Sequence, residues 1–130
     1  MNNYFEKVKQ YILELGYSIE KEDEADNVFV VDNEEEGIKN MIIAIADPIL
    51  IMEQHMFDIK ADDMNMFKEL LQKNQDIIHG AFVIDSTGTK VLFRDTLQIE
   101  NLDMNEFTGS LNSLSLLMAE YGNTIIKFSA

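Results

Sequence analysis

Cysteine is absent from this chain of 130 residues, which removes any disulfide framework and any thiolate zinc or iron–sulfur site. Proline occurs once, at Pro48, and no Pro/Gly/Ser-rich stretch divides the chain, so a single domain over residues 1–130 is expected. Basic residues are scarce: 10 Lys and Arg face 24 Asp and Glu, a net charge of -14. A surface this acidic repels phosphate backbones and anionic lipid headgroups, which argues against nucleic-acid and membrane partners. Long apolar runs are missing too. The longest, Met41 to Met52, is interrupted by Asp47 and Pro48 and falls far short of the ~20 residues that span a bilayer. The first residues carry neither a basic nor an apolar leader pattern, and a cytoplasmic protein is expected.

What is present suits a folded domain. The hydrophobic share is 46%, and a chain of this length buries roughly two-thirds of its unfolded surface without staples or metal. The acidity is local. Glu20 to Glu36 holds nine acids against Lys21 alone, so more than half of the net charge falls on 17 residues. Glu22, Asp23, Glu24, Asp26, Glu34, Glu35 and Glu36 form the cluster. It reads either as a means of steering a basic, extended segment towards an apolar sheet or as a solubilising guard on a sheet edge.

Periodicity predicts the elements. Asn2 or Asn3 caps a first helix with Phe5, Val8, Ile12 and Leu15 on one face, ended by Gly16. Val28 to Val31, Ile38 to Ala46 and Ile49 to Phe57 read as strands, separated by the turn at Asn33–Gly37 and the break at Asp47-Pro48. Asp62 or Asp63 caps a second helix carrying Phe67, Leu70 and Leu71. Ala81 to Asp85 and Lys90 to Ile99 form a hairpin. Asp103, with Glu106 three residues on, opens a last helix with Met104, Phe107, Leu111, Leu114, Met118 and Tyr121 on one face, closed by Gly122. The expected fold is α+β, in the order α-β-β-β-α-β-β-α, with helices packed on an antiparallel sheet.

Chemistry-bearing patterns fall short on inspection. Asp32-x-Glu34-x-Glu36-Gly37 imitates the start of a calcium loop, but Ile43 stands where the bidentate Glu belongs. Asp85-Ser86-Thr87-Gly88-Thr89, after an apolar strand, is similar to the nucleophilic Asp turn of haloacid-dehalogenase-type phosphatases. It lacks the second acid or Lys two residues on, and too little chain follows for their doubly wound domain, so a hairpin turn is the reading. His55 and His79 lie 24 positions apart with no ligand spacing, and the serines of the last helix sit on no nucleophile elbow. No catalytic residue, metal ligand or cofactor is expected.

The order of elements, the segment Leu97–Asp103 leading into the last helix, and the apolar run Leu111–Tyr121 carry a resemblance. The chain resembles the type III secretion chaperone-like fold, which includes the Tir-chaperone family and YbjN-type domains. The resemblance covers essentially the whole chain and implies a non-enzymatic protein that binds a partner polypeptide and is often a homodimer. It implies a dimer interface on the second helix at Met64, Phe67, Leu70 and Leu71. Leu50, Met52, Met56 and Leu116 are the expected partner-binding surface, since Met and Leu suit varied apolar partners. The alternative reading is a regulatory or sensory domain that binds a small ligand or cation.

Overall fold

The computed structural model describes residues 3–130. Helix α1 (Asn3–Glu14) turns Phe5, Val8 and Ile12 inward. The cap expected at Asn2 lies outside the described residues. At the other end Gly16 takes φ +78°, its N–H bonds to Leu13 O, and Tyr17 N–H bonds back to Ile12 O. This left-handed closure satisfies two orphan carbonyls and suits glycine.

Six strands follow: β1 (Ser18–Asp23), β2 (Val28–Asn33), β3 (Ile38–Ala46), β4 (Ile49–Asp58), β5 (Ala81–Ile84) and β6 (Lys90–Gln98). They form one antiparallel sheet in the order β1-β2-β3-β4-β6-β5. A short 3₁₀ turn, Glu34–Glu36, joins β2 to β3. Helix α2 (Met64–Asn74) lies between β4 and β5, and helix α3 (Met104–Phe128) closes the chain. The α+β class with an antiparallel sheet is as expected, but the element order is α-β-β-β-β-α-β-β-α.

The added element is β1, in a segment read from sequence only as an acidic run. Of Ser-Ile-Glu-Lys-Glu-Asp, Ile19 alone supplies an apolar side chain to the core, and a bulge at Glu20 breaks the alternation. An edge strand needs apolar cover on one side only and commonly carries charge, so its sequence signal is faint. A second difference is Gly122, which lies inside α3 and does not end it. A helical glycine costs about 1 kcal/mol relative to alanine. The helix continues because Ile125 is buried beyond it and the Phe128 ring packs 6.1 Å from Phe57.

Both expected acidic caps are in place. The Asp63 carboxylate accepts Asn65 N–H (3.0 Å) and Met66 N–H (3.2 Å), and that of Asp103 accepts Glu106 N–H (2.7 Å). All three helices bury side chains in one core with Phe29, Val31, Ile43, Leu50, Met52 and Phe93 of the sheet. The Phe5 ring stacks on Phe29 at 4.4 Å, fixing α1 over β2. Gln54 and Ser110 are the buried polar side chains among the described residues. Gln54 Nε2 donates to Gly37 O (3.1 Å) while its Oε1 accepts Lys39 N–H (3.0 Å), which anchors the start of β3 after the 3₁₀ turn. Ser110 donates to Asp95, the one acid on the inward face of β6.

Candidate protein-binding surface

Strand β4 decides which apolar residues are available to a partner. Leu50, Met52 and Gln54 face the helices, whereas Ile49, Ile51 and Glu53 face away. A bulge between His55 and Phe57 then turns Phe57 inward. Leu50 and Met52, expected on a docking surface, are therefore fully buried core residues: every helix lies on their side of the sheet. Met56 is half-buried against that core. Leu116 is well exposed on the outer side of α3. These four residues do not form one surface.

Met64 and Leu71 stand 71% and 68% exposed on the outer face of α2, with half-buried Phe67 between them. Leu70 turns inward and is buried. Beside this face lies a cavity of about 260 Å³ between α2 and β5, lined by Phe67, Leu70, Leu71, Phe82, Ile84 and Val91 among others. Ile84 is itself half exposed at the sheet edge.

The two sheet edges differ. At β5 the Asn74 side chain, from the last residue of α2, acts as a substitute strand. Its Oδ1 accepts Phe82 N–H (2.7 Å) and its Nδ2 donates to Phe82 O (3.2 Å). Among the described residues, no side chain caps the outer backbone of β1 in this way. Lys21 and Asp23 pair with Val30 and Val28 on the sheet face away from the helices. Glu22 points to the helix side, where it meets Lys9 of α1 at 3.1 Å.

The acidic cluster is divided by the fold. Glu22, Asp23, Glu24 and Asp26 lie on β1 and its turn into β2, whereas Glu34, Glu35 and Glu36 form the 3₁₀ turn at the other end of β2. A six-residue strand is about 20 Å long, so the cluster is two patches. Glu36 accepts the Ser115 hydroxyl of α3 (2.5 Å), and Asp32 accepts Asn40 N–H (2.6 Å). Two of the three acids of the calcium-loop look-alike, Asp32 and Glu36, are thus directed to different partners.

Asp85 serves its own turn. Its Oδ1 accepts Thr89 N–H (3.1 Å) and Lys90 N–H (3.2 Å), and Thr87 Oγ donates to the same carboxylate. Desolvation pushes its pKa up, but these hydrogen bonds and the Lys90 charge outweigh that and hold it below the ordinary carboxylate value. His55 Nε2 and Lys90 Nζ both meet Asp58 Oδ1, at 2.9 and 3.0 Å. The bond from His55, then that from Lys90, lowers the Asp58 pKa. His79 lies in the α2–β5 loop, where its carbonyl accepts the Ser113 hydroxyl (2.6 Å), in a groove that Ile77, Ile78, Leu116 and Leu117 line. Among the described residues no His, Asp or Glu cluster has the spacing of a metal site, and no helix is long and apolar enough to cross a membrane.

A family model described as CesT_Tir_1 matches residues 1–130. No curated protein matches the chain in sequence. Among solved structures, YbjN from E. coli is 14% identical with a TM-score of 0.67, covering 92% of this chain and 91% of that one. The HopA1–SchA chaperone–effector complex contains a chain 10% identical with a TM-score of 0.66, covering 93% and 95%. The ExsC–ExsE complex contains one 14% identical with a TM-score of 0.57, again covering 93% and 95%. At these identities the likeness establishes the fold.

Proposed function

Because the chain belongs to the CesT_Tir_1 family, we propose that it is a non-enzymatic, cytoplasmic domain that binds a partner polypeptide. The observation that carries this reading is the uncapped backbone edge of β1. A free edge accepts an extended segment as an added strand, with main-chain hydrogen bonds supplying affinity and neighbouring side chains supplying selectivity. Here the edge carries Glu20, Glu22 and Asp23, and Glu24 and Asp26 follow in the turn. Such an edge repels another copy of itself and favours a segment bearing Lys or Arg. Neighbours of the same fold that come from chaperone–effector complexes support the reading.

The same reading gives α2 a role in pairing two copies. Met64, Phe67 and Leu71 recur at one-face spacing and continue into Ile84, so a two-fold related copy meets a matching apolar strip. Two experiments test the proposal. Affinity capture from the native host with mass spectrometry should return a specific polypeptide enriched in basic residues, and its absence under gentle lysis counts against the reading. Light scattering should report a dimer that Met64→Glu with Leu71→Glu converts to a monomer; a wild-type monomer at all concentrations removes the α2 interface.

A further inference from the structure

The face of the sheet turned away from the helices is apolar at its centre. Val28 and Val30 of β2, Ile42 and Ala44 of β3, and Ile49 and Ile51 of β4 lie side by side there, in rows fixed by the pairs Val30–Ile42, Val28–Ala44 and Ala44–Ile51. None belongs to the core or packs against it, and Ile42 is 45% exposed. An antiparallel sheet with one wet face normally alternates apolar and polar residues along each strand. Near-continuous apolar runs such as Val-Phe-Val-Val and Met-Ile-Ile-Ala-Ile-Ala instead mark strands covered on both faces. The helices of this chain cover one.

We propose that this open face is the docking site of an amphipathic, basic α-helical segment of a partner protein. Backbone satisfaction selects a helix. A strand laid flat on a sheet face would bury its own N–H and C=O groups without partners, whereas a helix bonds them internally. The dimensions agree: three strands at the usual spacing make a strip about 10 Å wide, the diameter of one helix. Charge selects the sign. With Glu53 paired to Arg94 at 3.6 Å, Asp23 and Asp32 remain on the border of the strip against Lys21, on a chain of net charge -14. A second copy of this chain, itself at net -14, is disfavoured on the same face. The inference rests on the reading of the chain as a polypeptide-binding domain and adds to it the surface and the chemical class of the segment.

The test is a titration of the full chain into a fluorescently labelled synthetic helix of about four turns, with Leu on one face and Lys elsewhere. Saturable binding is expected, with little for the same peptide carrying Glu in place of Lys or a central Pro. Ile42→Asp adds a negative charge, so simple attraction to the basic peptide would strengthen. The proposal expects instead a loss of about tenfold or more, with a smaller loss in the milder Ile42→Thr should the Asp variant fold poorly. Gln10→Lys, exposed on α1 on the opposite side of the sheet, should leave binding within about twofold, the range of a remote surface change. Equal binding of the Pro-broken peptide, or unchanged affinity in both Ile42 variants, overturns the proposal. So does dissociation of a dimer by Ile42→Thr, which would make the occupant a second copy. If a host polypeptide captured by the wild type stays bound to the Ile42 variants and the peptide does not bind, this inference fails and the broader reading stands. If neither binds the wild type, both fail.

Discussion

Gln54→Met isolates one interaction that ties the sheet to the turn before β3. Gln54 is only 5% exposed and spans two backbone groups, Gly37 O at 3.1 Å and Lys39 N–H at 3.0 Å. Methionine conserves volume, so no cavity opens and the loss is that of the two hydrogen bonds. A hydrogen bond contributes about 1 kcal/mol net, and more when the abandoned partner stays dry. Gly37 is only part-buried and Lys39 is exposed, so the lower figure applies to both, giving a loss of about 2 kcal/mol. For a domain of this size that corresponds to a fall in melting temperature of about 8 °C. Equilibrium denaturation should show a lower midpoint at unchanged slope, and amide exchange should accelerate at Lys39. Gln54→Glu sharpens the test. Its carboxylate cannot donate to Gly37 O, so burial and the lost bond raise its pKa in the folded state. The variant should then be least stable at neutral pH and recover as pH falls through that raised pKa, once the carboxyl is protonated. A loss below about 0.5 kcal/mol for Gln54→Met, or no recovery of Gln54→Glu in acid, would refute the bridging role.

Other expectations follow from the same geometry. Gly80 has φ +95°, and a Cβ there would lie 2.4 Å from the Phe93 ring, so Gly80→Ala should cost about 3 kcal/mol in denaturation midpoints. Asn74→Ala removes both bonds to Phe82 and should cost about 2 kcal/mol while raising concentration-dependent light scattering, because the β5 edge is then uncapped. The Tyr17 hydroxyl is pushed up to about 12, first by burial and then by the Glu36 charge. The unfolded chain ionises it near 10.0, so its contribution to stability is complete below that pH and is lost as pH rises to about 12. Absorbance titration should show a tyrosine ionising near 12 that Tyr17→Phe removes.

Much of the fold was legible because its signals are local. Helical spacing at Phe5, Val8 and Ile12, the acid caps at Asp63 and Asp103, and the turn at Ser86–Gly88 each state their conformation within a few residues. The remainder depends on neighbours. β1 is held by pairing with β2, so its own residues need not look like a strand. α3 runs through Gly122 because packing at Ile125 and Phe128 outweighs one poor helix former. The facing of β4 was hidden for a different reason. With Ile, Leu, Ile and Met in succession, period-two alternation cannot separate inside from outside, and the bulge at His55 shifts it again. That is how Leu50 and Met52 were expected at a surface and lie in the core. Gln54 sits in sequence between two other polar residues, Glu53 and His55, and Asn74 ends a helix, so neither residue signals locally the backbone bonds it makes.

The unequal sheet edges also govern how such molecules can accumulate. A head-to-tail filament requires the first strand of one molecule to pair with the last strand of the next, leaving a fresh edge each time. Here the Asn74 amide already occupies that second position at Phe82. That bond pair at Phe82 works against growth by strand pairing at the β5 edge. On the proposed reading, a guest strand added at β1 would not make the molecule a template for fibres.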